Sequence, residues 1–109
     1  MSWDYVRGVW DIAGNLPSSG KAEETPVFVA NNYNRLGVLE TVQFVIGYGE
    51  IRPFETPKGK IMRGLFLTNQ EWVYFIDTYL EFSGEGGRSD QLKKLRNSLL
   101  MLDGVTSDV

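Results

Sequence analysis

The stretch from Lys60 to Gly84 constrains the fold most, because it carries two different hydrophobic periods back to back. From Trp72 onward, apolar residues fall at Trp72, Phe75, Ile76, Tyr79 and Leu80, the spacing of one helical face. Val73 and Phe82 widen that stripe, while Gln70, Asp77, Thr78 and Glu81 fall mainly opposite. Thr68 and Glu71 have the spacing of a capping box, and Leu67 and Trp72 that of a hydrophobic staple. Gly84 is placed to close the helix, since glycine reaches left-handed backbone angles without a Cβ clash. Before it, residues 60–67 read as a strand that is largely apolar on both faces, which predicts a central strand. Pro57-Lys58-Gly59 reads as a turn joining it to a strand over 50–56. Pro53 cannot donate to a sheet ladder, so that arm is predicted to lie at an edge.

Three further segments can be read from pattern. Residues 2–14 predict a short helix capped by Ser2, with Trp3, Val6, Trp10 and Ala13 at helical spacing and Gly14 at its end. Residues 36–48 predict a long strand: Val38, Val42, Phe44, Ile46 and Tyr48 share one face, interrupted by Glu40, and a helical start is the competing reading. Glu40, if buried there, needs a partner such as Arg35, Arg52 or Arg63. Residues 90–102 predict a helix capped by Ser89, with Leu92, Leu95, Leu99 and Leu102 as its stripe and Gly104 at its end. A short strand is expected over 27–30 and an asparagine-rich turn over 31–34. Residues 15–26 have no apparent apolar face and read as a loop, 84–87 as a glycine hinge and 105–109 as a frayed tail.

At 109 residues the chain is expected to form a single domain, 1–109, of class α+β. The expected architecture is an antiparallel sheet of about four strands (27–30, 36–48, 50–56, 60–67). Two C-terminal helices, 69–83 and 90–102, cover one face, and the N-terminal helix packs at an edge or end.

There is no cysteine and no histidine, which removes disulfides, thiol catalysis, cysteine-ligated zinc and the commonest general base. No nucleophile stands beside a base at a recognisable spacing, so no catalytic residue, metal site or cofactor is assigned. Val45-Ile46-Gly47-Tyr48-Gly49 is similar to the Thr-Val-Gly-Tyr-Gly signature of potassium-channel filters, without its threonine. A filter needs surrounding membrane helices, and no apolar run here approaches the roughly 18 residues of a span. The pentapeptide is therefore read as a glycine-bracketed bend. No basic region followed by an apolar block opens the chain, so the cytoplasm is the expected compartment.

Net charge is −3, unevenly placed. Residues 68–87 hold four acids and no base, between segments in which bases outnumber acids. Phe, Tyr and Trp make up 13% of the chain, more than a domain this small is expected to bury. These features predict a small acidic, non-enzymatic interaction protein, an accessory or inhibitor that docks on a larger protein partner. The acidic face Glu71, Asp77, Glu81 and Glu85 would meet a basic surface, such as that of a nucleic-acid-processing enzyme. Tyr48, Phe54 and Tyr74 are the candidate aromatic contacts. The alternative is a structural subunit of a homomeric or viral-type assembly, using strand edges and the leucine stripe. Direct nucleic-acid binding fits poorly with a pI near 4.9.

Overall fold

The computed structural model describes residues 2–30, 36–83, 88–102 and 104–106. In chain order it comprises α1 (Trp3–Ala13), a 3₁₀ segment (Ser19–Glu24), β1 (Phe28–Ala30), α2 (Leu36–Ile46), β2 (Glu50–Glu55), β3 (Ile61–Phe66), α3 (Asn69–Ser83) and α4 (Ser89–Leu100). The α+β class is as expected, but among the described residues the sheet has three strands in the order β1-β3-β2, all antiparallel.

The missing fourth strand is α2. Residues 36–46 fold as a helix, with Leu39, Val42 and Ile46 buried at i, i+3 and i+7. The β-branched content and alternating apolar residues of this segment suit either period. Length was the overlooked signal, because thirteen residues exceed the ordinary strand and suit three helical turns. The helical period also turns Glu40 out to solvent, so it needs no buried partner. Gly47 and Gly49, at φ 88° and 100°, end the helix and turn the chain into β2. The Gln43 amide fixes this bend by donating to the Gly49 carbonyl at 2.9 Å.

The hairpin fixes the direction of every backbone group in the sheet. Gly59, at φ 80°, donates to the Thr56 carbonyl at 2.8 Å, and the Thr56 N–H donates to Lys60 at 2.8 Å. This is a turn closed by a glycine bulge. Alternation from that bond makes Arg52↔Gly64 a hydrogen-bonded pair and Pro53↔Arg63 a non-hydrogen-bonded one. Pro53 thus removes an N–H that would have faced the open edge of β2, and the ladder loses nothing. On the other side of β3, Leu65 and Arg63 carry the bonds to β1, and the Leu65 carbonyl accepts from Val27 at 2.7 Å. Val29↔Gly64 is then non-hydrogen-bonded, and the Val29 N–H and C=O point away from the sheet.

The core lies between one sheet face (Phe28, Ala30, Leu65) and the helices, and includes Val6, Trp10, Trp72, Val73, Phe75, Ile76 and Tyr79. It is α2 that crosses the sheet, touching all three strands, while α4 packs chiefly on α3 and the 3₁₀ segment. The expected cover of both C-terminal helices over one sheet face is corrected accordingly. Leu92, Leu95 and Leu99 are buried in that packing, whereas Leu102 is exposed. The capping box forms: Thr68 N–H donates to Glu71 Oε1 at 2.9 Å, and Glu71 N–H to Thr68 Oγ1 at 3.1 Å. Neither Ser2 nor Ser89 acts as a cap: Ser2 makes no side-chain cap bond, and Ser89 is the buried first residue of α4.

The segment 15–26 is anchored rather than loose. Pro17 and Ala22 are buried, and the Trp72 indole donates to the Ala22 carbonyl at 2.9 Å. The tail is held as far as Thr106, whose backbone exchanges two 2.8 Å bonds with the Gln70 amide. The asparagine turn at 31–34 and the glycine hinge at 84–87 lie outside the described residues.

Two close approaches lock α1 to the rest. A Cβ on Gly14 would fall 2.1 Å from Trp10 Cδ1, so only glycine fits there. Arg88 lies over the Trp10 ring at 4.6 Å and donates to the Gly14 carbonyl at 2.9 Å. The Trp10 Nε1–H is buried without an acceptor among the described residues. That omission costs about 1–3 kcal/mol. Burying roughly 200 Å² of indole returns about 5 kcal/mol, so burial wins.

Candidate functional site

Two of the concave regions formed by the described residues are of opposite character. The first is an open cavity of about 230 Å³ lined by Val9, Ile12 and Ala13 of α1, Phe28, Val29 and Ala30 of β1, and Val38 and Leu39 of α2. No lining side chain carries a charge or a hydrogen-bonding group. Successive strand residues alternate faces, so a cavity can touch Phe28, Val29 and Ala30 together only along the strand edge. This is the edge on which the Val29 N–H and C=O are presented. Ile12 stands at the rim with 89% of its surface exposed.

The second is a cleft of about 510 Å³ along the start of α3, lined by Glu23, Glu24, Gly49, Glu50, Arg52, Phe66, Leu67, Thr68 and Glu71. Four carboxylates face one guanidinium. Two of the carboxylates are engaged: Glu23 Oε2 accepts from the Asn69 N–H at 2.9 Å, and Glu71 closes the capping box. Both thereby place negative charge at a helix N-terminus, where the dipole favours it. Arg52 lies 3.9 Å from the Phe66 ring centre and reaches the Glu23 carbonyl at 3.3 Å.

The acidic face expected on α3 is distributed differently from a free docking surface. Glu71 caps its own helix. Asp77 pairs with Arg96 of α4, both partly exposed. Glu81 is exposed, and Glu85 lies outside the described residues. The aromatic candidates divide into two places. Tyr48 and Tyr74 meet edge-to-face at 6.3 Å near Glu71 and Asp77, whereas Phe54 of β2 packs on Phe66 of β3 at 5.8 Å as a separate pair. The Tyr48 hydroxyl is buried without a partner among the described residues. Burial, then the nearby Glu71 and Asp77, pushes its pKa well above the ordinary phenol value. Tyr79 is raised to about 12, by burial and then by its hydrogen bond to Asp11 of α1.

Sequence reasoning missed Val29, Ile12 and Phe44. Ile12 was legible, since it lies off the Trp3–Val6–Trp10 stripe once residues 2–14 are wound as a helix. Phe44 stands 85% exposed on α2, opposite the core, and was hidden by the strand reading. Val29 needed the register, which the sequence does not supply.

Among the described residues no group of three or more His, Cys, Asp or Glu side chains could hold a metal ion, and no helix is long and apolar enough to cross a membrane. No protein-family model matches the chain, and comparison with curated proteins and with solved structures finds no match.

Proposed function

We propose that the protein is a non-enzymatic protein-interaction module that docks on a larger partner through the groove between α1, β1 and α2. The observation that carries this reading is the groove's lining: an open concavity of about 230 Å³ whose walls, among the described residues, are all apolar side chains, with Ile12 exposed at its rim. Apolar surface left in water costs about 25 cal/mol per Å², and a partner that covers it recovers this energy.

A second reading keeps the acidic docking expected from composition and moves it from the α3 face to the cleft. Glu24 and Glu50 lie there beside Glu23 and Glu71. A basic partner surface would meet that cleft, with strong dependence on salt.

Affinity capture from native extract, followed by mass spectrometry, separates the two readings. It is run with the unaltered protein, with Ile12→Asp and with Glu24→Lys/Glu50→Lys, at low and high salt. The groove reading expects a partner that survives high salt and the charge reversal and is lost with Ile12→Asp. A partner lost with the charge reversal and retained by Ile12→Asp transfers the function to the cleft.

A further inference from the structure

We infer that the groove binds its partner by strand addition: an extended, uncharged apolar segment of the partner pairs with the open edge of β1 at Val29 and extends the sheet to four strands. This deepens the proposed interaction function and rests on it.

The argument begins with the backbone. Val29 lies opposite Gly64 in a non-hydrogen-bonded pair, so its N–H and C=O face the open edge. Among the described residues neither group has a partner. Immediately upstream the same edge is closed, because Asn15 donates from its backbone to the Val27 carbonyl and from its side chain to Pro26, each at 3.0 Å. Among the described residues the open edge is therefore one residue wide on the donor and acceptor count, flanked by the apolar walls of α1 and α2. A buried backbone group without a partner loses its hydration with no hydrogen bond to replace it. An occupant that only filled the cavity with apolar atoms would bury the Val29 pair unpaired. An extended backbone supplies one C=O and one N–H at the required spacing and satisfies both.

Complementarity also selects the chemistry of the segment. Among the described residues no formal charge lines the groove. A charged side chain seated there would lose its hydration without compensation. Alternate residues of an added strand point to one side, so every second residue of the segment is apolar. Val, Ile and aromatic residues suit both the groove and the strand.

The geometry disfavours a second copy of the chain as the occupant. The β1 edge is three residues long and recessed between two helices, with Phe28 and Ala30 buried. Stable association of two folded copies buries roughly 1,600 Å². A recessed edge of this length cannot meet its own equivalent across a two-fold axis, whereas a single extended segment enters the groove.

The test pans a phage-displayed library of random dodecapeptides against the full chain. Enriched peptides are then synthesised with and without N-methyl groups at alternate backbone positions. Strand addition expects peptides with apolar residues at every second position. N-methylation of one alternate set weakens binding at least about tenfold, and methylation of the other set leaves it unchanged. Hydrogen exchange at the Val29 amide slows in the complex by a similar factor. Ile12→Asp abolishes binding while leaving the melting temperature unchanged, because Ile12 is already exposed. Peptides sensitive to Ile12→Asp that tolerate every N-methyl group and leave Val29 exchange unaltered overturn strand addition and leave the interaction function standing. No peptide sensitive to Ile12→Asp overturns both. A concentration-dependent dimer that protects Val29 without peptide makes the second copy the occupant and overturns the inference.

Discussion

The two edges of one small sheet are treated in opposite ways. The outer edge of β2 is exposed, carries Glu50, Arg52 and Glu55, and has Pro53 at a position whose N–H would have pointed outward. Charges and a proline without a donor are the ordinary means of keeping an edge from pairing with another chain. Among the described residues the outer edge of β1 carries no charge, has no partner for the Val29 N–H and C=O, and lies in an apolar groove. A sheet that blocks one edge and leaves the other walled but open has a direction in which it can grow.

The largest expected effect comes from the residue both edges share. Gly64 is the cross-strand partner of Val29 on one side and of Arg52 on the other. A Cβ there would lie 2.7 Å from Pro26 Cβ and within 3.2 Å of the Phe54 and Phe66 rings. Gly64→Ala is expected to lower stability by about 2–3 kcal/mol in chemical denaturation, and so to disrupt the two edges together. A variant as stable as the parent would show that the strands can shift without cost, and the register argument would lose its support.

High pH should separate the edges. The folded protein holds the Tyr79 proton more tightly than the unfolded chain, whose phenol titrates near 10. The hydrogen bond from Tyr79 to Asp11 holds α1, and α1 is a wall of the β1 groove. Its contribution is complete below about pH 10 and is lost as pH rises through about 12. Stability should therefore fall with rising pH in that window, with exchange protection lost first in α1 and last in the β2–β3 hairpin. Tyr79→Phe should reduce the dependence and leave the part carried by the buried Tyr48 phenol, measured by urea midpoints across the window.

A smaller effect is expected from the helix that serves neither edge. Thr68→Ala opens the capping box of α3 and should cost about 1 kcal/mol, with peptide binding at the groove unchanged at saturating stability. The smallest change in stability, below about 0.5 kcal/mol, is expected from Pro53→Val on an exposed edge. That substitution restores the outward N–H, and sedimentation at rising concentration should show self-association through β2. A monomer at every concentration would mean that the charges alone protect this edge.

The sequence was legible where a single element declared its own period and ends. The helix from Asn69, its Thr68–Glu71 box, the hairpin around Gly59 and the central position of β3 all follow from residue types at fixed spacings. The segment 36–46 was not legible by period, because apolar residues on both faces satisfy either winding, and packing across three strands selected the helix. The acidic α3 face was visible in composition, yet composition could not show that Asp77 would pair with Arg96 or that Glu71 would cap its own helix.

By itself the sequence determined an α+β chain with a proline-blocked edge strand and no cysteine or histidine chemistry, because these depend on residue identity and local spacing. Only the tertiary structure decided that Val29 faces outward, that α1 and α2 wall it with apolar side chains, and that Ile12 stands free above it. Those features depend on which strands pair and in which register, and register is set by contacts between residues far apart in the chain.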